Sequence, residues 1–336
     1  MSEEAAAEPG GRIPAHPLPS SSRAPGKCIL FGEHAVVHGR PELLLAIDLY
    51  TQIGVRAALT TTLNADRTPL EHNPYLSRAL ETLWSGRPPL ALTAVSRIPR
   101  AAGLGSSAAF VAAVAAVLCA ADGGVERARL HQIAFEIEQG AQGVGSPGDT
   151  AAVVGGGYLT LNSTAGRPLW QVRDARHTWS VHRVPDPAWS WLIAYSGIPR
   201  DTGATVRAVG ERLRQEDGPR LLEEFEQVAH EGIAAVGEED REKVGALLNR
   251  NHGLLQQVGV SHPRLEELLA AVLPACEGGK VTGAGAGGSI VVLPKLGREL
   301  EASRRITRAG GVAYLVRPAL RGVELVGPAD RGTGTG

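Results

Sequence analysis

From Ser106 to Ala121 the chain reads SSAAFVAAVAAVLCAA, with no charged residue anywhere along it. A helix that is apolar all round must be buried on most of its faces. The run is shorter than the ~20 residues that a membrane span needs, so the protein itself must cover it. The chain has 336 residues, enough for about two domains and a sizeable core. Directly before the run stands IPRAAGLG, residues 98–105. Glycine is poor core material, so this stretch solves a backbone problem: either a tight turn or a cradle for a ligand.

Patterning along the chain predicts an α+β fold of two domains. KCILFGEHAVV reads as short strands around a turn at Gly32, and LLLAID and TQIGVRAAL as two further strands. The helix YLSRALETLW leads to the strand LALTAVS and then to the glycine loop. RARLHQIAFEIEQG is a second helix ending near Gly140, followed by the loop AQGVGSPGDT and by AAVVGGGYLTL. A second region opens at WSWLIAYSG, where Trp189 and Trp191, two apart on a strand, share one face and belong to the core. Amphipathic helices follow in DTGATVRAVGERLRQ, RLLEEFEQVAHEGIAAV, REKVGALLNRNHGLLQQV and PRLEELLAAVLPACE. KVTGAGAGGSIVVLP reads as strand, glycine loop, strand; a short helix at ELEASRRIT and the strands GVAYLVR and GVELVG complete the pattern. Strands and helices in mixed order favour α+β over a doubly wound sheet. Residues 1–22 and 328–336 read as a loose leader and tail, leaving domains over 23–186 and 187–327.

Several functions are excluded by composition. A formal net charge of −1 provides no field for nucleic acid or an acidic membrane surface, so any anion must be held by local groups. The N-terminus starts acidic and lacks the apolar stretch of a signal peptide. Cys28, Cys119 and Cys276 have no metal-binding spacing, which suits reduced thiols in a cytoplasmic protein.

Two glycine loops compete for a phosphate. GAGAGG, 283–288, fits the dinucleotide pattern G-x-G-x-x-G, but that pattern must open a helix and SIVVLP reads as a strand. The loop containing Gly103, Leu104 and Gly105 has the right context, between a strand and a helix whose first turn carries Ser106 and Ser107. A helix N-terminus offers unpaired N–H groups and a positive dipole end, and glycines let an anion approach. A serine-capped helix after a tight turn fits the same residues equally well.

Three more stretches bear on that choice: APGKCILFGEHAVVHG (24–39), QGVGSPGDTAA (142–152) and KVTGAGAGG (280–288). With the loop at 98–108 they resemble, in order, the motifs of the GHMP kinases. Within that family the chain is most similar to the mevalonate kinases, particularly the archaeal type, by its lysine-bearing opening motif, its Ser-Pro-Gly-Asp-Thr loop and the segment IPRDTGATV. It departs from the pattern at Leu43, which follows Glu42 where a small residue is common, at Tyr50 in place of a frequent arginine, and at Gly148, where a larger residue is usual.

The resemblance implies a two-domain kinase with its site in the interdomain cleft, using ATP and Mg²⁺ to phosphorylate the 5-hydroxyl of mevalonate. Asp149 would accept the hydroxyl proton beside Lys27. Pro99, Gly103, Leu104, Gly105, Ser106, Ser107 and Ala108 would hold ATP. Glu138 with Ser107 would bind Mg²⁺, which prefers hard oxygen ligands; Glu136 and Ser106 are the competing choices. Lys27, Glu33, His34, Asp149, Arg200 and Thr202 would line the acceptor site, with the loop of Gly283, Gly285 and Gly287 shaping the cleft. A homodimer is a further expectation. Another small-molecule kinase of the family, or a non-catalytic nucleotide sensor, stays open on the sequence alone.

Overall fold

A computed structural model describes residues 21–143, 146–199 and 202–327. Its first part contains β1 (Ser21–Phe31), β2 (Glu42–Ala57), β3 (Thr62–Leu63), β4 (Leu90–Ser96), β5 (Tyr158–Leu161), β6 (Arg167–Arg173) and β7 (Thr178–Arg183). The helices of this part are α1 (Pro69–His72), α2 (Pro74–Leu83), α3 (Ser106–Ala120), α4 (Arg127–Gln142) and α5 (Gly148–Gly155). The second part contains β8 (Trp191–Tyr195), α6 (Thr202–Arg212), α7 (Gly218–Gly237), α8 (Arg241–Gln257) and α9 (Pro263–Val272). It continues with β9 (Cys276–Thr282), β10 (Ser289–Pro294), α10 (Glu299–Arg308) and β11 (Val312–Val316). A last strand, β12 (Glu324–Val326), closes the chain.

The first sheet runs β12-β1-β2-β5-β7-β6, and β4 joins it along the far half of β2. LLLAID and TQIGVRAAL, expected as two strands, form the single strand β2. Its first residues pair with β5 and its later ones with β4, so one edge of this long strand serves two neighbours while β1 lines the other. The second sheet, β11-β8-β10-β9, is antiparallel throughout. β1 already begins at Ser21, inside the stretch read as a leader, because Ser21 pairs with both Gly54 and Val326. β12 likewise hydrogen-bonds into the first sheet, not the second.

Helix α3 lies at the centre. Ala108, Ala109 and every residue from Val111 to Cys119 are buried, and β1, β2, α2, α4 and α5 surround it. Small alanines let these neighbours close in, and each buried valine or leucine contributes roughly 1.5–3 kcal/mol. Ser22 of β1 donates its hydroxyl to the Ala113 carbonyl at 2.6 Å. Trp189 and Trp191 are buried, as their shared face predicted, and Trp191 Nε1 donates across to Tyr158 Oη of β5 at 2.7 Å. All three cysteines are buried free thiols.

Candidate active site

The pairing of β1 with β2 shifts register between Pro25 and Gly26, just before Lys27, with the extra residues Asp48 and Leu49 on the β2 side. Lys27 is turned inward, 1% exposed, with Nζ 2.7 Å from Asp149 Oδ1. Its backbone N–H donates to Leu104 O at 3.0 Å, pinning the glycine loop across the strand. Gly105 precedes α3 with φ 72°, and a Cβ there would fall 2.8 Å from Lys27 Cγ. Glycine is therefore required at 105 twice over, for its left-handed backbone and for the lysine stem beneath it. From the second sheet, Ser289 Oγ donates to Ala102 O at 2.9 Å and props the loop from behind.

The loop opens onto a cavity of about 460 Å³ whose lining includes Pro99, Gly103, Leu104, Gly105, Ser106 and Ser107. A smaller cavity of about 110 Å³ is lined by Lys27, Glu33, His34, Glu42, Glu138 and Gly283, among others. Asp149 and Gln142 line both. The carboxylate of Asp149 thus stands where a larger, loop-bounded space meets a smaller, charge-lined one.

Ser107 Oγ donates to Glu138 Oε1 at 2.7 Å, and Gln142 Nε2 donates to the same oxygen at 3.2 Å. Burial first, and then the charge of Asp149, push the Glu138 carboxyl up to about 7. Ser107, not Ser106, is the serine paired with this carboxyl, and Glu136 points away to Gln132.

Asp149 sits in the first turn of α5, and a buried histidine fixes that turn. Trp170 Nε1 is only a donor, so its 2.7 Å bond makes His131 Nδ1 an acceptor. The remaining proton is then on Nε2, which faces Pro147 O and Thr150 Oγ1, both at 3.1 Å. Burial lowers the His131 pKa to about 4, so the ring stays neutral.

Residues 74–157 match the family described as "GHMP kinases N terminal domain", and residues 232–312 match "GHMP kinases C terminal". A mevalonate kinase of Methanothermobacter thermautotrophicus is 31% identical over 291 residues, covering 82% of this chain and 90% of that protein. The chain belongs to the GHMP kinase family. A mevalonate kinase of Pyrococcus horikoshii is 30% identical, covering 90% of this chain and 96% of its own. The fold is shared with the crystal structure of Methanococcus jannaschii mevalonate kinase, at TM-score 0.72 and 22% identity over 89% of this chain and 98% of that one. It is shared equally with L. major mevalonate kinase in complex with R-mevalonate, at TM-score 0.73 and 20% identity over 90% and 98%.

In this GHMP kinase the remaining expected residues fall into three groups. Ala108 is fully buried and does not line the large cavity, because the first turn of α3 directs it into the core. Glu33, also buried, is ion-paired with Lys280 of β9, which in turn donates to Ile29 O. His34 lies at φ 64° with Nε2 3.1 Å from Ala284 O. In the second glycine loop, Gly283, Gly285 and Gly287 have φ of 76°, 82° and 129°. SIVVLP is indeed the strand β10, so the loop joins two strands. Gly283 lines the small cavity, whereas Gly285 and Gly287 pack against the backbone of Val260 and Ile198. Arg200 and the side chain of Thr202 lie outside the described residues.

The sequence reading missed several partners in this kinase. Lys280, Glu42, Gln142 and the His131–Trp170 pair all bear on the site. Gln142 was detectable, four positions after Glu138 on one helix face. The others are joined across long stretches of chain, and no local pattern marks them.

Proposed function

We propose that this chain is a mevalonate kinase, transferring the γ-phosphoryl group of ATP to the 5-hydroxyl of mevalonate. The observation that carries the reading is the Lys27–Asp149 pair at 2.7 Å, at the junction of the two cavities. ATP in the larger cavity and the acceptor in the smaller would bring phosphorus and hydroxyl together at Asp149. Its carboxylate takes the hydroxyl proton as the new O–P bond forms, and Lys27 neutralises the oxygen before transfer. Phosphoryl transfer asks the protein mainly for positioning and charge neutralisation. The loop from Pro99 to Ser107 supplies this for the phosphates through backbone N–H groups and the N-terminus of α3.

The residues fit Mg²⁺. Ser107 and Glu138 present hard oxygens beside the loop before α3, and a bound cation would favour the ionised form of the Glu138 carboxyl. When bound, the ion would neutralise phosphate charge; no cluster of three acidic or soft ligands is needed for that. Among the described residues no such cluster exists.

His34, Arg200 and Thr202 belong to the acceptor side of the same proposal, with Arg200 suited to a carboxylate. Glu33 enters it through its pair with Lys280. An ATP-binding domain over 23–186, extended back to Ser21 by β1 and completed by the returning strand β12, a second domain over the rest of 187–327, cytoplasmic location, and assembly as a homodimer complete the reading. No described helix is long and apolar enough to cross a membrane. An ADP-release assay over a panel of acceptors decides the substrate: turnover with mevalonate supports it, and turnover with another alcohol alone sinks it. Asp149→Asn should keep ATP binding and lower kcat by roughly 10²–10⁴-fold; an equally inactive wild type would favour a nucleotide sensor.

A further inference from the structure

Glu42 opens β2 in the middle of the first sheet, opposite Leu161 of β5. It is 1% exposed, and its Oε2 is sealed from solvent without a hydrogen-bond partner among the described residues. Leaving a buried polar group unsatisfied costs on the order of 1–3 kcal/mol or more, unless a ligand completes it. Burial and the charge of Asp149 hold this carboxyl well above the carboxylate range, against the pull of Lys27. That shift favours the protonated form, which can donate, while Lys27 serves Asp149.

The neighbour that makes room for it is Gly148. This glycine lies in α5 with φ in the ordinary negative range, so alanine would suit the backbone better by ~1 kcal/mol. Space, not conformation, opposes a side chain: a Cβ at 148 would fall 2.5 Å from Glu42 Oε2, and the carboxyl would have to shift. Both adjoin Asp149, Gly148 along the chain and Glu42 across the small cavity that it lines with Lys27, Glu138 and Asp149.

We propose that Glu42 is a specificity-determining residue for the acceptor: its carboxyl, admitted by Gly148, donates a hydrogen bond to an acceptor oxygen other than the one phosphorylated. The proposal rests on the kinase reading above and adds a named contact to its acceptor side. A second hydroxyl or a carboxylate on the acceptor satisfies it, and a simple alcohol does not.

Steady-state kinetics with mevalonate and ATP varied in turn, together with thermal unfolding, test this contact. Glu42→Ala should raise the mevalonate KM about tenfold, the equivalent of ~1.4 kcal/mol. The same variant should leave the ATP KM within about twofold and the melting temperature undiminished, since an unpaired buried group has been removed. Glu42→Gln, whose amide also donates, should recover most of the lost affinity. Gly148→Ala, which displaces the carboxyl, should raise the mevalonate KM in the same sense. An analogue without the 3-hydroxyl and one without the carboxylate identify the partner oxygen, as the one whose absence makes Glu42→Ala harmless. A wild-type mevalonate KM in Glu42→Ala, or equal rises in both KM values, overturns the proposal. A wild type active on another alcohol but not on mevalonate overturns the substrate reading alone, and the same kinetics on that alcohol then decide Glu42.

Discussion

Replacing Gly105 with alanine separates the backbone cost of the glycine loop before α3 from its grip on Lys27. The backbone cost follows from φ 72°, a left-handed conformation unfavourable for L-residues by ~1–2 kcal/mol. Gly39 has φ 80° and nothing within 4 Å of an added Cβ, so Gly39→Ala carries that cost by itself. At Gly105 the added Cβ also meets Lys27 Cγ at 2.8 Å and Cε at 3.3 Å. Ordinary carbon contacts lie near ~3.5–4.0 Å, so the lysine stem must yield by roughly 1 Å. Lys27 is buried, with its Nζ bound 2.7 Å from Asp149, and the displacement passes to the ammonium. Misplacing a reacting group by ~1 Å can cost about 10²-fold in rate. Gly39→Ala should lose a few degrees of melting temperature and Gly105→Ala at least as many. At saturating substrates Gly39→Ala should keep kcat within about twofold, while Gly105→Ala should fall by about 10²-fold. The assay is ADP release on matched, folded preparations. Gly105→Ala turning over within about threefold of Gly39→Ala would refute the idea that the loop sets the lysine.

Two further outcomes follow from buried contacts. His131 has its pKa lowered from 6.5 to about 4 by burial, so the unfolded chain binds its proton first. The histidine's contribution is complete above about pH 6.5 and is lost as pH falls toward 4, about 3 kcal/mol in all. Denaturant titrations from pH 4 to 7.5 should show His131→Gln with a flatter acid limb, and parallel curves for the two proteins contradict this. Gly322 leaves no room for a side chain, its Cβ position lying 1.9 Å from Val154 O. Gly322→Ala should destabilise the protein by at least about 2 kcal/mol and make residues 317–327 exchange amide protons faster, and an unchanged melting temperature rejects that reading.

How much of this was legible in the sequence depends on the range of the interactions. The buried helix α3, the glycine loop before it and the strand after GAGAGG could be read, because each rests on neighbours within a few residues. GDTAAVVG reads as loop and apolar run, because it begins and ends in glycine and lacks helical periodicity, yet it forms α5. Its hold comes from His131 and Trp170, residues too distant in sequence to reveal it. The β6–β7 hairpin, with arginines at both ends of β6 and a proline within it, gave no alternating signal. Lys280 looked like any strand-end lysine until β9 was set beside β1, where it meets Glu33 and Thr282 Oγ1 both accepts from Ile29 N–H and donates to Ile29 O. Gly148 stands out in the sequence only as a departure from a family pattern, and that a side chain there would meet the Glu42 carboxyl is legible only in the fold.

The return of β12 to β1 makes the second sheet and its helices an insertion within the first unit's chain. One crossing leads out after β7 and another leads back before β12, so a single proteolytic cut cannot part the two bodies cleanly. A fragment ending at residue 186 would lose the strand that covers Ser21–Arg23 and expose a raw sheet edge, an invitation to self-association. Chain order suggests two modules in tandem, whereas the hydrogen bonds make one module the host and the other its guest.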